Sequence, residues 1–385
     1  MLTRRTFLHT AAAYGLLSQQ AGLSFGSAPG NKRLVVIMLR GGMDGLEVVQ
    51  PVGDGDYRTI RPDVSLPGVE PAFALNGFYA MHGALKTLQP MFQAKELLAV
   101  HAVSTPFHSR SHFQAQDLLE WGAQADERHD SGWVNRLIGI LGGKKLGFAS
   151  EVGASVSQLM SGPETVLNVY PETELGFWAN SKQFLDMLYK DEPGFESLRL
   201  QVDNMTETSD PADNVDPGVS VREVAGYVAR LMKKDCRLAT FSLYGWDTHV
   251  GQGPKLAKNL FPLASALTTL KSELADVWQD TLVLAVSEFG RTARYNGTQG
   301  TDHGTGGAAL FAGGALANGS GGKVLTTRWP GLGVDHLFEQ RDLMPTDDIR
   351  RYVGWALARH FDVSPEKISH ALFPGVDMGQ VLRVI

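Results

Sequence analysis

Runs of apolar residues about one strand long recur at 34–39 (LVVIML), 97–103, 166–169, 238–243, 282–286 and 308–311. Most are apolar at nearly every position rather than at alternate ones, as in strands buried on both faces of a sheet. Helical periodicity lies between several of them. Residues 221–234 (VREVAGYVARLMKK) repeat apolar positions at three- and four-residue spacing and end in a basic turn. Residues 254–278 read as a long helix with Pro254 near its start, and 116–121 as a shorter one. Helices alternating with fully apolar strands predict an α/β fold with a mostly parallel central sheet flanked by helices. Ligands of such sheets bind beyond the carboxyl ends of the strands.

Two stretches break the pattern. Residues 191–220 hold Pro193, Pro211 and Pro217 among Asp203, Glu207, Asp210, Asp213 and Asp216, and read as an exposed acidic insertion. Residues 1–28 begin with Arg4-Arg5-Thr6-Phe7-Leu8 and then carry no lysine, arginine or acid until Lys32. Gln19 and Gln20 make this stretch too polar for a good spanning helix. A basic start, a mildly apolar middle and small residues make a secretory signal, and the paired arginines are those of the twin-arginine type. The expectation is therefore a signal at 1–28, read by the twin-arginine export machinery. One domain at 29–385 would follow in the periplasm or another extracytoplasmic space, with no stable membrane span after cleavage.

Charge and composition narrow the chemistry. Lys+Arg 35 against Asp+Glu 41 gives a net charge of −6, with no basic block, which argues against a nucleic-acid partner. The single cysteine, Cys236, excludes an internal disulfide, cysteine zinc ribbons and iron–sulfur clusters. It is expected as a buried strand residue. The 43 glycines exceed the roughly 7% background, and many sit beside polar residues, as in site-building loops.

Four polar clusters each come after an apolar run. Asp44 follows the first. Gly245-Trp246-Asp247-Thr248-His249 follows 238–243, Ser287-Glu288-Phe289-Gly290-Arg291-Thr292 follows 282–286, and Gly300-Thr301-Asp302-His303-Gly304 comes soon after. In extended chain, residues i and i+2 point the same way, so Asp247 and His249 are spaced to ligate one ion together. Asp44, Asp247, Glu288, Asp302, His249 and His303 suit one or two divalent ions (Zn, Mn, Mg or Ca) better than a soft metal. Taken singly, Asp44 is an ordinary turn residue and Asp247 an ordinary helix cap. A fifth cluster, Ser104 to Gln114, follows 97–103 and holds Ser109-Arg110-Ser111-His112. A helix start favours an anion. Ser109 or Ser111 is a candidate nucleophile or simply a helix cap. His112 is a candidate to bind or protonate an oxyanion, and Arg40, Arg110 and Arg291 to clamp one.

In this order the clusters are similar to those of the alkaline-phosphatase-like superfamily of phosphatases, sulfatases and cofactor-independent phosphoglycerate mutases. A closer resemblance, over roughly 30–385, is to a twin-arginine-exported family, the domain of unknown function numbered 1501. Its motifs stand here at 40–45, 109–113, 245–249, 287–292 and 301–304. The resemblance implies a three-layer fold, two metal sites and hydrolysis of a phosphate or sulfate ester. The chain departs from the superfamily in two places. Ser287-Glu288-Phe289-Gly290-Arg291 stands where phosphatases usually carry an Asp-His pair, and the Cys-x-Pro-x-Arg pattern of sulfatases is absent from 105–110. The alternative function is a non-catalytic exported binding or assembly protein that keeps the fold, with or without a structural ion.

Overall fold

A computed structural model describes residues 31–62, 66–123, 130–153, 155–169 and 221–385. The expected signal segment and the acidic insertion lie outside these residues. No helix among the described residues is long and apolar enough to cross a membrane.

The six apolar runs become strands of one sheet, joined there by three short strands at 149–152, 324–325 and 347–348. In chain order the strands of this sheet are β1 (Arg33–Arg40), β2 (Leu97–Ser104), β3 (Ala149–Val152), β4 (Leu167–Val169), β5 (Leu238–Tyr244), β6 (Thr281–Ser287), β7 (Gly307–Ala312), β8 (Val324–Leu325) and β9 (Asp347–Asp348). Their order is β8-β2-β7-β6-β1-β5-β3-β4, with β9 also paired to β2. Strand β1 lies between β5 and β6, parallel to both, with Leu39 level with Leu243 and Ser287. Among the described strands of this sheet, the exception to parallel pairing is β7, antiparallel to both β2 and β6. This reversal positions the site. Loops that leave the carboxyl ends of β1, β2, β5 and β6 meet the loop that enters β7, because an antiparallel strand begins where its neighbours end. All five polar clusters therefore share one sheet edge.

Both faces of β1 are buried, as its unbroken apolar run requires. Val35, Ile37 and Leu39 belong to one core cluster and Leu34, Val36 and Met38 to the other. The longer helices among the described residues are α1 (His112–Trp121), α2 (Trp133–Leu141), α3 (Val221–Lys233), α4 (Gln252–Leu274), α5 (Ile349–Phe361) and α6 (Pro365–Leu372). Helices α3 and α4 cover the first face; α2, α5 and α6 cover the second. The result is a helix–sheet–helix sandwich.

Two helix boundaries differ from the sequence pattern for local reasons. Helix α4 starts at Gln252, since a proline two residues on still falls in the first turn, where no intrahelical N–H bond is needed. It stops at Leu274, after which 275–280 tighten into a 3-10 turn. Helix α1 starts four residues before 116, at His112. Arg110 adopts a left-handed conformation (φ 61°) and Ser111 the extended N-cap geometry. Gly122, with φ 72°, ends it. Cys236 is buried as expected but precedes β5 rather than lying within it; burial pushes its thiol up to about 11.

Candidate metal centre

His112, the first residue of α1, points its ring toward the loop that enters β7. Its Nε2 lies 2.9 Å from Nε2 of His303. Nε2 of His249, from the loop after β5, lies 3.0 Å from the same His303 atom. The Asp247 carboxylate completes the group. Its Oδ1 is 3.0 Å from His249 Nε2 and 3.1 Å from His303 Nε2, and its Oδ2 is 3.6 Å from His112 Nε2. The ligand atoms of His112, Asp247 and His303 all lie within 4.8 Å of one another.

The other nitrogen of each ring decides what these contacts are. His112 Nδ1 is 2.7 Å from Glu288 Oε1, His303 Nδ1 is 2.8 Å from the Arg110 carbonyl, and His249 Nδ1 is 3.1 Å from Asp302 Oδ1. A carbonyl or an ionised carboxylate can only accept. Each neutral ring therefore carries its hydrogen on Nδ1, and three Nε2 lone pairs face one another and a carboxylate. Only a cation or added protons can relieve such an arrangement. Outer carboxylates and carbonyls that fix imidazole tautomers are the usual surroundings of metal-bound histidines.

The electrostatics agree. Glu288 is buried, which alone would push its carboxyl up. Bonds from His112, Gln116 Nε2 (2.9 Å) and the Gly41 amide (2.9 Å) outweigh burial and hold it below its ordinary value. The Glu288 bond in turn raises the His112 pKa against the effect of burial. Asp302 is lowered first by Asn296, whose Nδ2 donates to it at 3.1 Å, and then by His249. Partial burial pushes Asp247 up, but the Arg291 guanidinium, 2.6 Å away, more than offsets it. Burial lowers His303. The Asp247, His249 and Asp302 side chains remain 42%, 40% and 47% exposed, so this flank is open to solvent.

Close backbone packing makes the convergence possible. Gly41, at φ +125°, leaves no room for a Cβ, which would stand 2.6 Å from the Asp247 amide nitrogen. A Cβ on Gly300 would stand 2.0 Å from the His249 carbonyl oxygen. The loops after β1, β5 and β6 are thus pressed together at glycines.

Of the residues expected as ligands, Asp247, His249 and His303 come together, joined by His112, expected instead to handle an oxyanion. Glu288 and Asp302 stand behind the rings. Asp44 is engaged elsewhere. It caps the helical turn Gly45–Val48, and its Oδ2 pairs with Arg61 Nη2 at 2.8 Å and Gln252 Nε2 at 2.6 Å. All three candidate oxyanion clamps face carboxylates: Arg291 meets Asp247, Arg110 meets Asp342 (2.9 Å) and Glu339, and Arg40 meets Glu120 (2.6 Å). Ser111 occupies the N-cap position without a side-chain cap bond, while Ser109 Oγ donates to Gln114 Oε1 at 3.1 Å. Sequence reasoning gave no role to Thr301 within its cluster and missed Gln116, Gln252, Arg61 and the fully buried Asp342. Gln116 had a signal: it follows His112 by four residues and shares its helix face.

The sequence model of a family described as a protein of unknown function (DUF1501) matches residues 207–369. That stretch holds Asp247, His249, Glu288, Arg291, Asp302 and His303, but neither Asp44 nor the 109–113 segment. No curated protein sequence matches the chain. Among solved structures, it is similar to the integral membrane lipooligosaccharide phosphoethanolamine transferase EptA of Neisseria meningitidis, at 11% identity and a TM-score of 0.36, over 81% of this chain and 55% of that one. It thus spans about half the length of that protein. It is also similar to a TAB5 alkaline phosphatase mutant (12% identity, TM-score 0.35, 74% of this chain and 90% of that one). A third is the phosphonate monoester hydrolase of Agrobacterium radiobacter (11%, 0.30, 76% and 70%). Likenesses this loose do not bear on activity.

Proposed function

We propose that the chain is an exported metal-dependent hydrolase of phosphate or sulfate esters. The observation that carries the metal is the convergence of three histidine Nε2 atoms on the Asp247 carboxylate. Imidazoles and a carboxylate fit a transition ion such as zinc better than magnesium or calcium, which take oxygen ligands, and His112, Asp247 and His303, whose ligand atoms lie within 4.8 Å of one another, would leave a coordination position for the ester. His112, His303 and Asp247 would hold the ion, with His249 beside them at 3.0 Å from His303. When bound, such an ion polarises an ester oxygen and stabilises negative charge.

The chain's own residues do the rest. Glu288, the Arg110 carbonyl and Asp302 keep the three rings in the Nδ1–H form. Ser109 or Ser111, next to His112 at the start of α1, supplies the attacking hydroxyl. Its oxygen bonds to phosphorus or sulfur as the alcohol departs, and water then releases the serine ester. Both His112 nitrogens are committed to the cluster, so the exposed His108 of the same segment is the ring assigned to move the proton. Export rests on Arg4 and Arg5.

A second reading has a specific observation behind it. Arg40, Arg110 and Arg291 all pair with carboxylates, which favours a non-catalytic binding or assembly protein with a structural ion. One experiment separates the two: metal content of the exported protein, followed by turnover of phosphomonoesters, phosphodiesters and sulfate esters. Metal with turnover that stops on chelation supports the hydrolase. Metal without turnover leaves the binding protein with its ion, and protein that takes up no metal overturns the hydrolase.

A further inference from the structure

A buried chain of hydrogen bonds joins Asp44 to Asp247. Gln252 Nε2 donates to Asp44 Oδ2 at 2.6 Å, which fixes the orientation of the amide because a carboxylate accepts only donors. Gln252 Oε1 then faces two hydroxyls, Thr248 Oγ1 at 2.8 Å and Thr301 Oγ1. Both must donate to it. With its hydrogen committed, Thr301 Oγ1 accepts from Arg291 Nε at 3.1 Å. Arg291 Nη1 donates to Asp247 Oδ1 at 2.6 Å. Every donor and acceptor role is set by its neighbour, with no second arrangement that satisfies them all.

The chain is dry and anchored at its far end. Asp44, Gln252, Thr301 and Arg291 are each at most 1% exposed. Arg61, equally buried, pairs with Asp44 and with Glu47 at 3.0 Å, and donates to the Thr292 and Ala293 carbonyls. The cation beside Asp44 is thus a guanidinium belonging to the protein.

We propose that Gln252 and Thr301 are positioning residues: they hold Arg291, and through it the ligand Asp247, in the geometry that receives the metal, with Asp44 as anchor rather than ligand. The metal half of this proposal rests on the metal-centre reading above; the positioning of Arg291 does not. Asp247 Oδ1, the oxygen that faces His249 and His303, stays tied to Arg291, which fixes the orientation of the carboxylate and leaves Oδ2 on the His112 side. Outer partners of this kind are worth about 10- to 100-fold in metal affinity.

The test uses the full chain with Thr301→Val, which removes the hydroxyl at nearly constant volume, and Thr301→Ser, which restores it. In metal-free protein, the Arg291 Nε–H is expected to give a slowly exchanging proton–nitrogen signal in wild type and Thr301→Ser. In Thr301→Val it should exchange rapidly, although the bond from Arg291 Nη2 to the Thr301 carbonyl survives. Zinc affinity, read by competition with a chromophoric chelator, should fall at least about tenfold in Thr301→Val and return in Thr301→Ser. If Thr301→Val does not fold, Gln252→Met breaks the same chain one link earlier and the same two readings apply. An unchanged Arg291 signal overturns the proposal, and so does a lost signal with unaltered zinc affinity. Wild-type protein that binds no zinc would sink the metal-centre reading and the ligand half of this proposal, while the Arg291 signal still decides whether the chain holds that side chain.

Discussion

His112 Nε2 and His303 Nε2 stand 2.9 Å apart, and in the neutral rings neither carries a hydrogen to share, because Glu288 and the Arg110 carbonyl hold both protons on Nδ1. Two lone pairs at this distance repel unless a cation lies between them. The pair comes from segments 191 residues apart, and it is where the chain's chemistry concentrates.

Metal removal is the first consequence. Ligands must be deprotonated to bind, so acidification should release the ion, and chelation should lower the melting temperature by loss of linked binding energy. His112→Ala and His303→Ala should each bind far less zinc and respond weakly to chelator. Calorimetric melts with and without chelator, alongside elemental analysis, check this; equal chelator responses in wild type and both variants would count against the site.

Asp44→Asn should behave differently. It breaks the buried pair with Arg61, though Glu47 still holds the guanidinium, so the cost should fall near the lower end of the usual range, about 3 kcal/mol. The number of ions per chain should not change. Urea unfolding gives the first quantity and metal stoichiometry the second; loss of an ion would restore Asp44 as a ligand.

Acid sensitivity should have a contribution far from the site. His101 and His360 are buried, and desolvation lowers both to about 4 from an ordinary value near 6.5. The unfolded chain therefore binds more protons between these values. Stability from each ring is complete above about pH 6.5 and is lost as pH falls toward 4, by up to roughly 3 kcal/mol per ring. His101→Gln keeps a donor for the Val49 carbonyl, which lies 2.8 Å from His101 Nε2, and should flatten the pH dependence over that window. Urea midpoints from pH 4 to 7 in chelator, compared with wild type, give the answer.

The serines separate capping from catalysis. Neither hydroxyl makes a helix-cap bond to the start of α1, so Ser109→Ala and Ser111→Ala should each shift stability by no more than about 0.5 kcal/mol. If one of them attacks the ester, its alanine variant should lose nearly all turnover while keeping its metal. Full activity in both variants would remove serine from the reaction.

Gly41→Ala should destabilise through backbone and sterics together. The φ of +125° and the 2.6 Å approach to the Asp247 nitrogen predict a loss of order 1–3 kcal/mol, with reduced zinc binding because Asp247 must move. Thermal melts and the chelator competition assay read both effects.

The run of apolar and polar positions was enough to place the sheet and the neighbourhood of the site. Unbroken apolar runs can be buried only between two helical layers, and polar residues beyond the strand ends must then gather at one edge. The spacing of Asp247 and His249 was legible for the same local reason. Pairing choices were not. Whether Asp44 meets a metal or Arg61 depends on a residue 17 positions away across a turn. His112 became part of the cluster because α1 begins there, just after Arg110's left-handed turn and four residues ahead of its apolar pattern. The reversal of β7, which brings Asp302 and His303 to the others, leaves no mark in a run apolar on both faces, since such a run is buried equally well in either direction. Periodicity encodes burial; which donors share one point in space is decided by strand direction and close backbone packing, and these only the tertiary structure sets.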